Sequence, residues 1–463
     1  MRKLFGTDGM RGEAGRFPLD ANTVRIAGRS LARHLSVQLG RQPRIVTGRD
    51  TRESGVWIEQ AFAAGVSEAE AVCQSAGVIT TPGVAFLARN LPADAGVVIS
   101  ASHNPYEDNG IKIFERTGRK LDDAMERLIE ADIYEQSPAQ AAKDEPAGRS
   151  EQQIVRGEAE GAGTGEAIAL QARYLEFLER EIGSGLRLHG LKIMVDCANG
   201  AASQLAPKLF ARLGADVVAI SNAPDGRNIN RECGSLYIES LRHKTVEDRA
   251  DLGVAFDGDA DRALFVDKRG EIVDGDATLW VMAQQMAEQG KLAGGRVVAT
   301  VMSNVGLELA LRERGWQLLR TNVGDKYVLD QLLSTDSNLG GEQSGHIIFP
   351  RESLVGDGIS TALHVLRAMS ETNAALHELT TGFVRYPQVL VNVTVREKRP
   401  FEEVANIARA AGDIQTKLEG SGRLLLRYSG TELLARIMIE GKRQDEINEL
   451  ANSLAEIVKK ELG

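Results

Sequence analysis

The sequence predicts a multidomain α/β protein that ends in a smaller α+β unit, and three features carry that expectation. The chain has 463 residues, enough for about three or four domains. Through most of its length, helical spacing of apolar residues alternates with short apolar runs, as α/β units require. The last stretch instead joins an alternating strand, VLVNVTV, to a helical pattern, DEINELANSLAEIVKKELG.

The elements follow in order. TVRIAGRSLARHLSVQLG has apolar residues at helical spacing, RIVTGRD reads as a buried strand running into a turn, and WIEQAFAAGVSEA is again helical. AGVVISASHNP is a strand ending in small and polar residues. A second unit opens with the strand LKIMVDCANG and the helical ASQLAPKLFARLGA, and it continues to LGVAFDGDADRALFVD. A third contains TLWVMAQQMAEQ, the strand RVVATVMS, the helical VGLELALRERG and the segment GGEQSGHIIFP. Residues 137–165 are rich in Ala, Gly, Glu and Gln and read as a surface connection. Gly161, Gly163 and Gly165 do not form a dinucleotide loop, because their spacing is wrong and no strand precedes them.

Composition narrows the function. A net charge of -10 opposes binding to nucleic acid, which depends on cationic side chains displacing counterions. Cys73, Cys197 and Cys233 are too few for a disulfide framework. The N-terminus lacks the apolar core of a signal peptide, and no stretch approaches the roughly 20 apolar residues of a membrane span. A cytoplasmic protein with neither nucleic-acid nor membrane partners is expected.

Four segments could carry chemistry. Asp257, Asp259 and Asp261 lie between the apolar runs LGVAF and ALFVD, so they occupy a loop between strands where alternate carboxylates can converge on one ion. Hard oxygen donors with open positions suit Mg2+. The calcium EF-hand pattern fails, since its Gly and Glu positions hold Arg262 and Lys268. A solvated acidic turn is the alternative, although crowded carboxylates repel one another unless a cation is present. Ser100 and Ser102 follow AGVVI, where a loop can expose a nucleophile, with His103, Asn104 and Lys112 nearby. No GxSxG elbow surrounds them. RYSGTE, from Arg427 to Glu432, offers a guanidinium, hydroxyls and turn amides to a phosphate, or is a simple turn. GEQSGH places Glu342 and Ser344 two residues apart; in an extended segment they point the same way and suit paired hydroxyls, while an ordinary polar turn has the same composition.

Taken in order, FGTDGMRG, ISASHNP, DGDADR, GEQSGH and RYSGTE resemble the α-D-phosphohexomutase superfamily, with support from TGRDTRESG, ITTPG, PDGRNIN and NVGDKYV. The resemblance runs almost the whole length and is nearest to the branch that acts on glucosamine phosphates, toward which Gln343 and the N-terminal pattern tilt it. It implies four domains around a central cleft, three α/β and a smaller fourth. Here they would span 1–160 with the serine loop, 161–268 with the acidic loop, 269–372 with the sugar loop and 373–463 with the phosphate loop.

The resemblance also implies roles. Ser102 would be the phosphoserine and, with Asp257, Asp259 and Asp261, would hold Mg2+. Arg11, His103, Lys112 and Arg262 would line the reaction centre, with Lys112 the first candidate for acid/base work and His103 the second. Glu342, Ser344 and His346 would bind the sugar, and Arg427, Ser429, Gly430 and Thr431 the non-reacting phosphate. The implied reaction interconverts glucosamine 6-phosphate and glucosamine 1-phosphate through a bound glucosamine 1,6-bisphosphate, which also acts as activator. It would supply amino-sugar nucleotide and cell-wall precursor synthesis, with a small phosphosugar as substrate and a homodimer as a possible assembly. Glucose or mannose phosphates as substrates, or a phosphosugar sensor without turnover, are the alternatives.

This chain departs from the family at several positions. Pro is common where it has Tyr428 and Leu433, which predicts a less rigid phosphate loop. Tyr237 replaces a frequent His and Lys326 a frequent Arg, and 137–165 has no clear counterpart.

Overall fold

The structure, a computed structural model, describes residues 3–6, 8–136, 165–429 and 432–463. The 137–165 connection, apart from Gly165, and the expected boundary at 160/161 lie outside them, as do Gly430 and Thr431. The chain forms two compact units, Met1–Gly294 with Gly324–Thr381, and Gly295–Val323 with Gly382–Gly463.

The first unit begins with a six-stranded mixed sheet. Arg44–Arg49 lies between Val72–Val78 and Ala95–Ile99, parallel to both, and Asp108–Glu115 and Gly9–Glu13 add on antiparallel. AGVVI is buried at every position, as the apolar run predicts. Helix Ala21–Leu39 starts where the Asp20 carboxylate accepts the amides of Asn22 and Thr23, and it ends at Gly40 with φ 64°. It packs on Glu53–Glu68 with backbone-close contact: a Cβ on Gly65 would lie 1.9 Å from the Arg25 carbonyl oxygen. Phe62, Ile58, Leu31 and Val24 fill the core beneath.

A five-stranded sheet follows, in the order Ile272–Val273, Ala263–Asp267, Leu252–Phe256, Lys192–Asp196, Asp216–Ile220. Its antiparallel hairpin, Phe256 opposite Ala263, makes the acidic segment a tight loop between two buried strands. The expected helix at ASQLAPKLFARLGA is two pieces, a 3-10 turn Ala201–Gln204 and the helix Ala206–Arg212, with Pro207 in the first turn of the second. Gly340–Gly341 and Ile347–Ile348 pair antiparallel around residues 342–346. GEQSGH is therefore a turn and not the extended segment that its spacing allowed. Gly345 donates its amide to Glu342 O at 3.0 Å, and the Glu342 amide donates to His346 O at 2.9 Å.

The second unit holds the parallel pair Arg296–Thr300 and Gln317–Thr321 with helix Val305–Glu313. Its antiparallel sheet runs Gln388–Thr394, Leu434–Gly441, Gly422–Tyr428, covered by helices Ala405–Leu418 and Gln444–Leu462. Ile407, Ile437, Ile439, Leu454 and Val458 form its core.

Candidate active site

Ser102 comes three residues after the strand Ala95–Ile99, in a left-handed turn with φ 53°. The turn is held by its own polar groups: the Ser102 amide donates to Ser100 Oγ at 2.9 Å, and the Asn104 amide to Ala101 O at 3.1 Å. The side chain is 1% exposed, and its hydroxyl donates to Asp257 Oδ2 at 2.5 Å. Its oxygen also lies 3.4 Å from His103 Nδ1.

The acidic loop brings Asp257, Asp259 and Asp261 together, with ligand atoms within 4.8 Å of one another. The Asp259 carboxylate accepts from Lys112 Nζ at 2.8 Å and from Thr81 Oγ1 at 2.5 Å. Oδ1 of Asp259 and Oδ1 of Asp261 are buried without a hydrogen-bond partner among the described residues. Unpaired anionic oxygens at this depth are costly unless a cation meets them, so the donor set fits a small divalent ion. Gly258 permits the close approach: a Cβ there would lie 2.5 Å from the Ser102 carbonyl oxygen. Gly358, opening helix Gly358–Thr372, donates its amide to Ala260 O at 3.0 Å and supports the loop from behind.

Around these groups the charges are tightly coupled. Burial, then the neighbouring Asp261 and Asp259, pushes the Asp257 carboxyl well above the ordinary range. Burial acts the same way on Asp261, but Lys112 and Arg262 outweigh it and hold that carboxyl well below. Lys112 is 1% exposed and lies 3.1 Å from Asp8 and 3.5 Å from Asp261. Burial alone would release its proton, yet Asp259, Asp8 and Asp261 together hold it above the usual lysine range. His103 is driven the other way: burial, Arg262 and Arg11 lower its pKa to about 4. Arg262 Nη1 lies 3.1 Å from His103 Nδ1, and Arg11 Nη1 donates to Ala101 O at 3.2 Å. The structure thus gathers Arg11, Ser102, His103, Lys112, Asp257, Asp259, Asp261 and Arg262.

The turn at 342–346 adjoins this group through backbone bonds, Ala263 amide to Gly345 O at 3.1 Å and Gly275 amide to Gln343 O at 3.0 Å. Ser344 Oγ and Gln343 Nε2 are buried without a partner among the described residues. Glu342 accepts the Gly324 amide at 3.2 Å. His346 is 4% exposed, accepts the Gly356 amide on Nε2 at 3.0 Å and places Nδ1 3.7 Å from Asp261. With Nε2 accepting the Gly356 amide, the ring carries its proton on Nδ1, the nitrogen nearer Asp261.

In the second unit, Arg427 lies directly across the strand pair from Arg436, and the Ser429 carbonyl accepts from Lys398 Nζ at 2.7 Å. Burial, then Arg436, lowers the Arg427 pKa. Tyr428 itself makes two contacts. Its ring stacks on Phe401 with centroids 4.2 Å apart, and its hydroxyl donates to Arg399 O at 2.5 Å. Lys326 pairs with Asp123 at 2.7 Å, and Tyr237 is exposed.

Sequence reasoning assigned no role to Asp8, Thr81, Arg52, Asn230 or Arg436. The first four lie in FGTDGMRG, ITTPG, TGRDTRESG and PDGRNIN, which stood out only as supporting segments.

Such a buried serine beside an acidic triad, carried on α/β units, defines a phosphoryl-transfer enzyme of the phosphohexomutase class. The comparisons agree. Phosphoglucomutase/phosphomannomutase alpha/beta/alpha domain I matches residues 2–140, domain II 172–270, domain III 274–386 and the C-terminal domain 390–457. A phosphoglucosamine mutase from Solibacter usitatus is 45% identical over 462 residues, covering 100% of this chain and 99% of that protein. A solved phosphoglucomutase/phosphomannomutase family protein from Burkholderia thailandensis shares the fold, with TM-score 0.76 and 24% identity over 99% of this chain and 97% of that one. So does the Aspergillus fumigatus N-acetylphosphoglucosamine mutase in complex with GlcNAc-6P and magnesium, with TM-score 0.62 and 19% identity over 99% and 96%. The chain belongs to the phosphoglucomutase/phosphomannomutase family and, within it, to the phosphoglucosamine mutases.

Proposed function

We propose that the chain interconverts glucosamine 6-phosphate and glucosamine 1-phosphate through a phosphorylated Ser102 and a bound glucosamine 1,6-bisphosphate. The observation that carries this reading is the Ser102 hydroxyl 2.5 Å from Asp257 inside a triad with two unpaired carboxylate oxygens. Asp257, Asp259, Asp261 and Ser102 would hold Mg2+, the ion present in the Aspergillus fumigatus complex. When bound, that ion supplies neutralisation of charge on the transferring phosphoryl group.

The chain's own residues do the rest. Burial of Ser102 excludes water that would compete for the phosphoryl group. In the first half-reaction the bond from phosphorus to Ser102 Oγ breaks and a bond forms to the sugar O1; the O1 proton leaves to a base and Ser102 Oγ takes up a proton. In the reoriented bisphosphate the bond from the 6-phosphorus to O6 breaks and a bond forms to Ser102 Oγ, whose proton leaves while O6 takes one up. Glu342 and Ser344 hold the sugar hydroxyls, and Arg427, Ser429, Gly430 and Thr431 hold the idle phosphate. Arg11 and Arg262 supply fixed positive charge. His103 suits the proton acceptor better than Lys112: it is neutral above about pH 4 and within 3.4 Å of Ser102 Oγ, whereas Lys112 keeps its proton among three carboxylates.

Turnover measured in parallel on glucosamine, glucose and mannose phosphates, with Mg2+ and a sugar bisphosphate, tests the reading. Glucosamine 6-phosphate is expected to have the highest kcat/KM, because a polar site discriminates an amine from a hydroxyl through groups left unpaired. Equal or reversed preference would favour the glucose/mannose reading, and absence of phosphate on Ser102 the sensor reading.

A further inference from the structure

The two carbonyls that flank His103 are gripped from two directions. Arg52 Nη2 donates to Ser102 O at 3.1 Å and to Asn104 O at 2.6 Å. Asn230 Nδ2 donates to the same two oxygens, at 2.9 and 3.0 Å. The donors come from separate places in the chain. Arg52 caps the front of helix Glu53–Glu68, is 0% exposed and pairs with Asp50. Asn230 lies in the loop after strand Asp216–Ile220 with φ 57°, and its amide donates to Ala198 O at 2.9 Å. Between them stands Gly258 of the acidic loop, where a Cβ would lie 2.5 Å from Ser102 O and 2.9 Å from Asn230 Nδ2.

We propose that Arg52 and Asn230 are positioning residues, a two-armed clamp that keeps the Ser102 loop in register with the acidic loop in both the free and the phosphorylated states of the serine. The inference rests on the mutase reading above. In the free state Ser102 is also anchored by its hydroxyl, which donates to Asp257. Phosphorylation removes that donor, so the hydroxyl no longer anchors the turn. The clamp acts on backbone carbonyls and does not depend on what the serine oxygen carries. It therefore preserves the left-handed conformation at the moment when the side chain no longer does. Neither arm is placed to exchange a proton with the substrate, since both are engaged with the backbone.

The test uses full-length Asn230→Ala, Asn230→Asp and Arg52→Lys, together with the Arg52→Lys/Asn230→Ala double variant. Glucose 1,6-bisphosphate with Mg2+ serves as phosphoryl donor, and phosphate on Ser102 is followed by peptide mass spectrometry, beside kcat, KM and Tm. Asn230→Ala is expected to slow phosphorylation and kcat about 10- to 100-fold, the scale of a misplaced reacting group, with KM within about threefold. Asn230→Asp should be slower still, because it turns carboxylate oxygens toward two carbonyls. The double variant should lose less than the product of the single losses, because both arms hold the same oxygens. Variants phosphorylated at the wild-type rate per folded molecule, a loss confined to KM, or fully multiplicative losses would overturn the clamp. A wild-type protein that takes no phosphate on Ser102 would overturn the mutase reading, and the clamp with it.

Discussion

The loop of Ser102 and the loop of Arg427 differ in how much of their geometry the protein fixes in advance. Ser102 is 1% exposed, its backbone carbonyl accepts two bonds, and its hydroxyl is committed to Asp257. Arg427 is half-buried, and its guanidinium makes only a long contact of 4.0 Å with the Met302 sulfur among the described residues. It also lies opposite Arg436, a like charge directly across a strand pair, which is unfavourable until an anion arrives. A centre that moves a phosphoryl group gains from rigid placement. A site that grips either phosphate of a turning substrate gains from unspent donors instead.

Replacing the proposed nucleophile gives the sharpest contrast between the two loops. Ser102→Ala should fold, with Tm within a few degrees, and lose at least about 10⁴-fold in kcat, because no oxygen remains to carry the phosphoryl group. Peptide mass spectrometry of protein isolated from cells should find phosphate at Ser102 in the parent. That phosphate should transfer to added sugar monophosphate only with a divalent ion present. Phosphate on Ser100 alone, or near-normal turnover by the alanine variant, would dissolve the distinction.

Arg427→Ala probes the other side. Removing a charge-assisted contact worth about 1.5–3 kcal/mol should raise KM for either monophosphate about 10- to 100-fold. The fold should survive, since that side chain carries no buried ion pair among the described residues. A fall in kcat with KM unchanged would place Arg427 with the chemistry and not with anchorage.

The two regions also differ in what the sequence disclosed. The acidic loop was legible because alternate aspartates between two apolar runs can only be a loop between strands, and Leu252–Phe256 and Ala263–Asp267 form that hairpin. Ser102 was legible as a residue beyond a buried strand. What holds it was not: Arg52 and Asn230 reach it from 50 and 128 residues away, a proximity that no local pattern encodes. The turn at 342–346 stayed open between an extended segment and a polar turn, because period-two spacing does not distinguish a strand from the tip of a short hairpin. The contacts of Tyr428 were not legible either, because its stacking on Phe401 depends on a partner that sequence spacing does not reveal.

A smaller effect should appear on the rigid side, in stability. Asp357 caps the helix behind the acidic loop, accepts the Tyr174 hydroxyl at 2.7 Å, and has a pKa raised by burial to about 6. A carboxyl raised above its unfolded value stabilises the fold below that value, about 4, and loses the contribution as pH rises through 6. Asp357→Asn keeps the cap acceptor without the titration. Denaturant unfolding should show that the variant lacks a stability decrease on the order of 1–3 kcal/mol between about pH 4 and 6 that the parent shows. Identical pH profiles would mean that Asp357 is ionised without penalty.

The finest test returns to the phosphate loop, through the residue that stands where the family commonly has proline. Tyr428 is held by two contacts, the ring on Phe401 and the hydroxyl on Arg399 O at 2.5 Å. Tyr428→Phe removes only the second. A single neutral hydrogen bond at a partly exposed position is worth about 0.5–1.5 kcal/mol, so KM for the monophosphates should rise about two- to twelvefold. Because neither partner of Tyr428, Phe401 or Arg399, is assigned a part in the chemistry, kcat should stay within about 1.5-fold, a ratio equivalent to roughly 0.2 kcal/mol. Tyr428→Pro removes both contacts but restores the fixed φ of the usual residue. If rigidity by any means is what the loop needs, the proline variant should bind better than a Tyr428→Ala variant, which has neither. Equal KM values for the proline and alanine variants would show that the contacts themselves, and not the stiffness they confer, place Arg427 and Ser429.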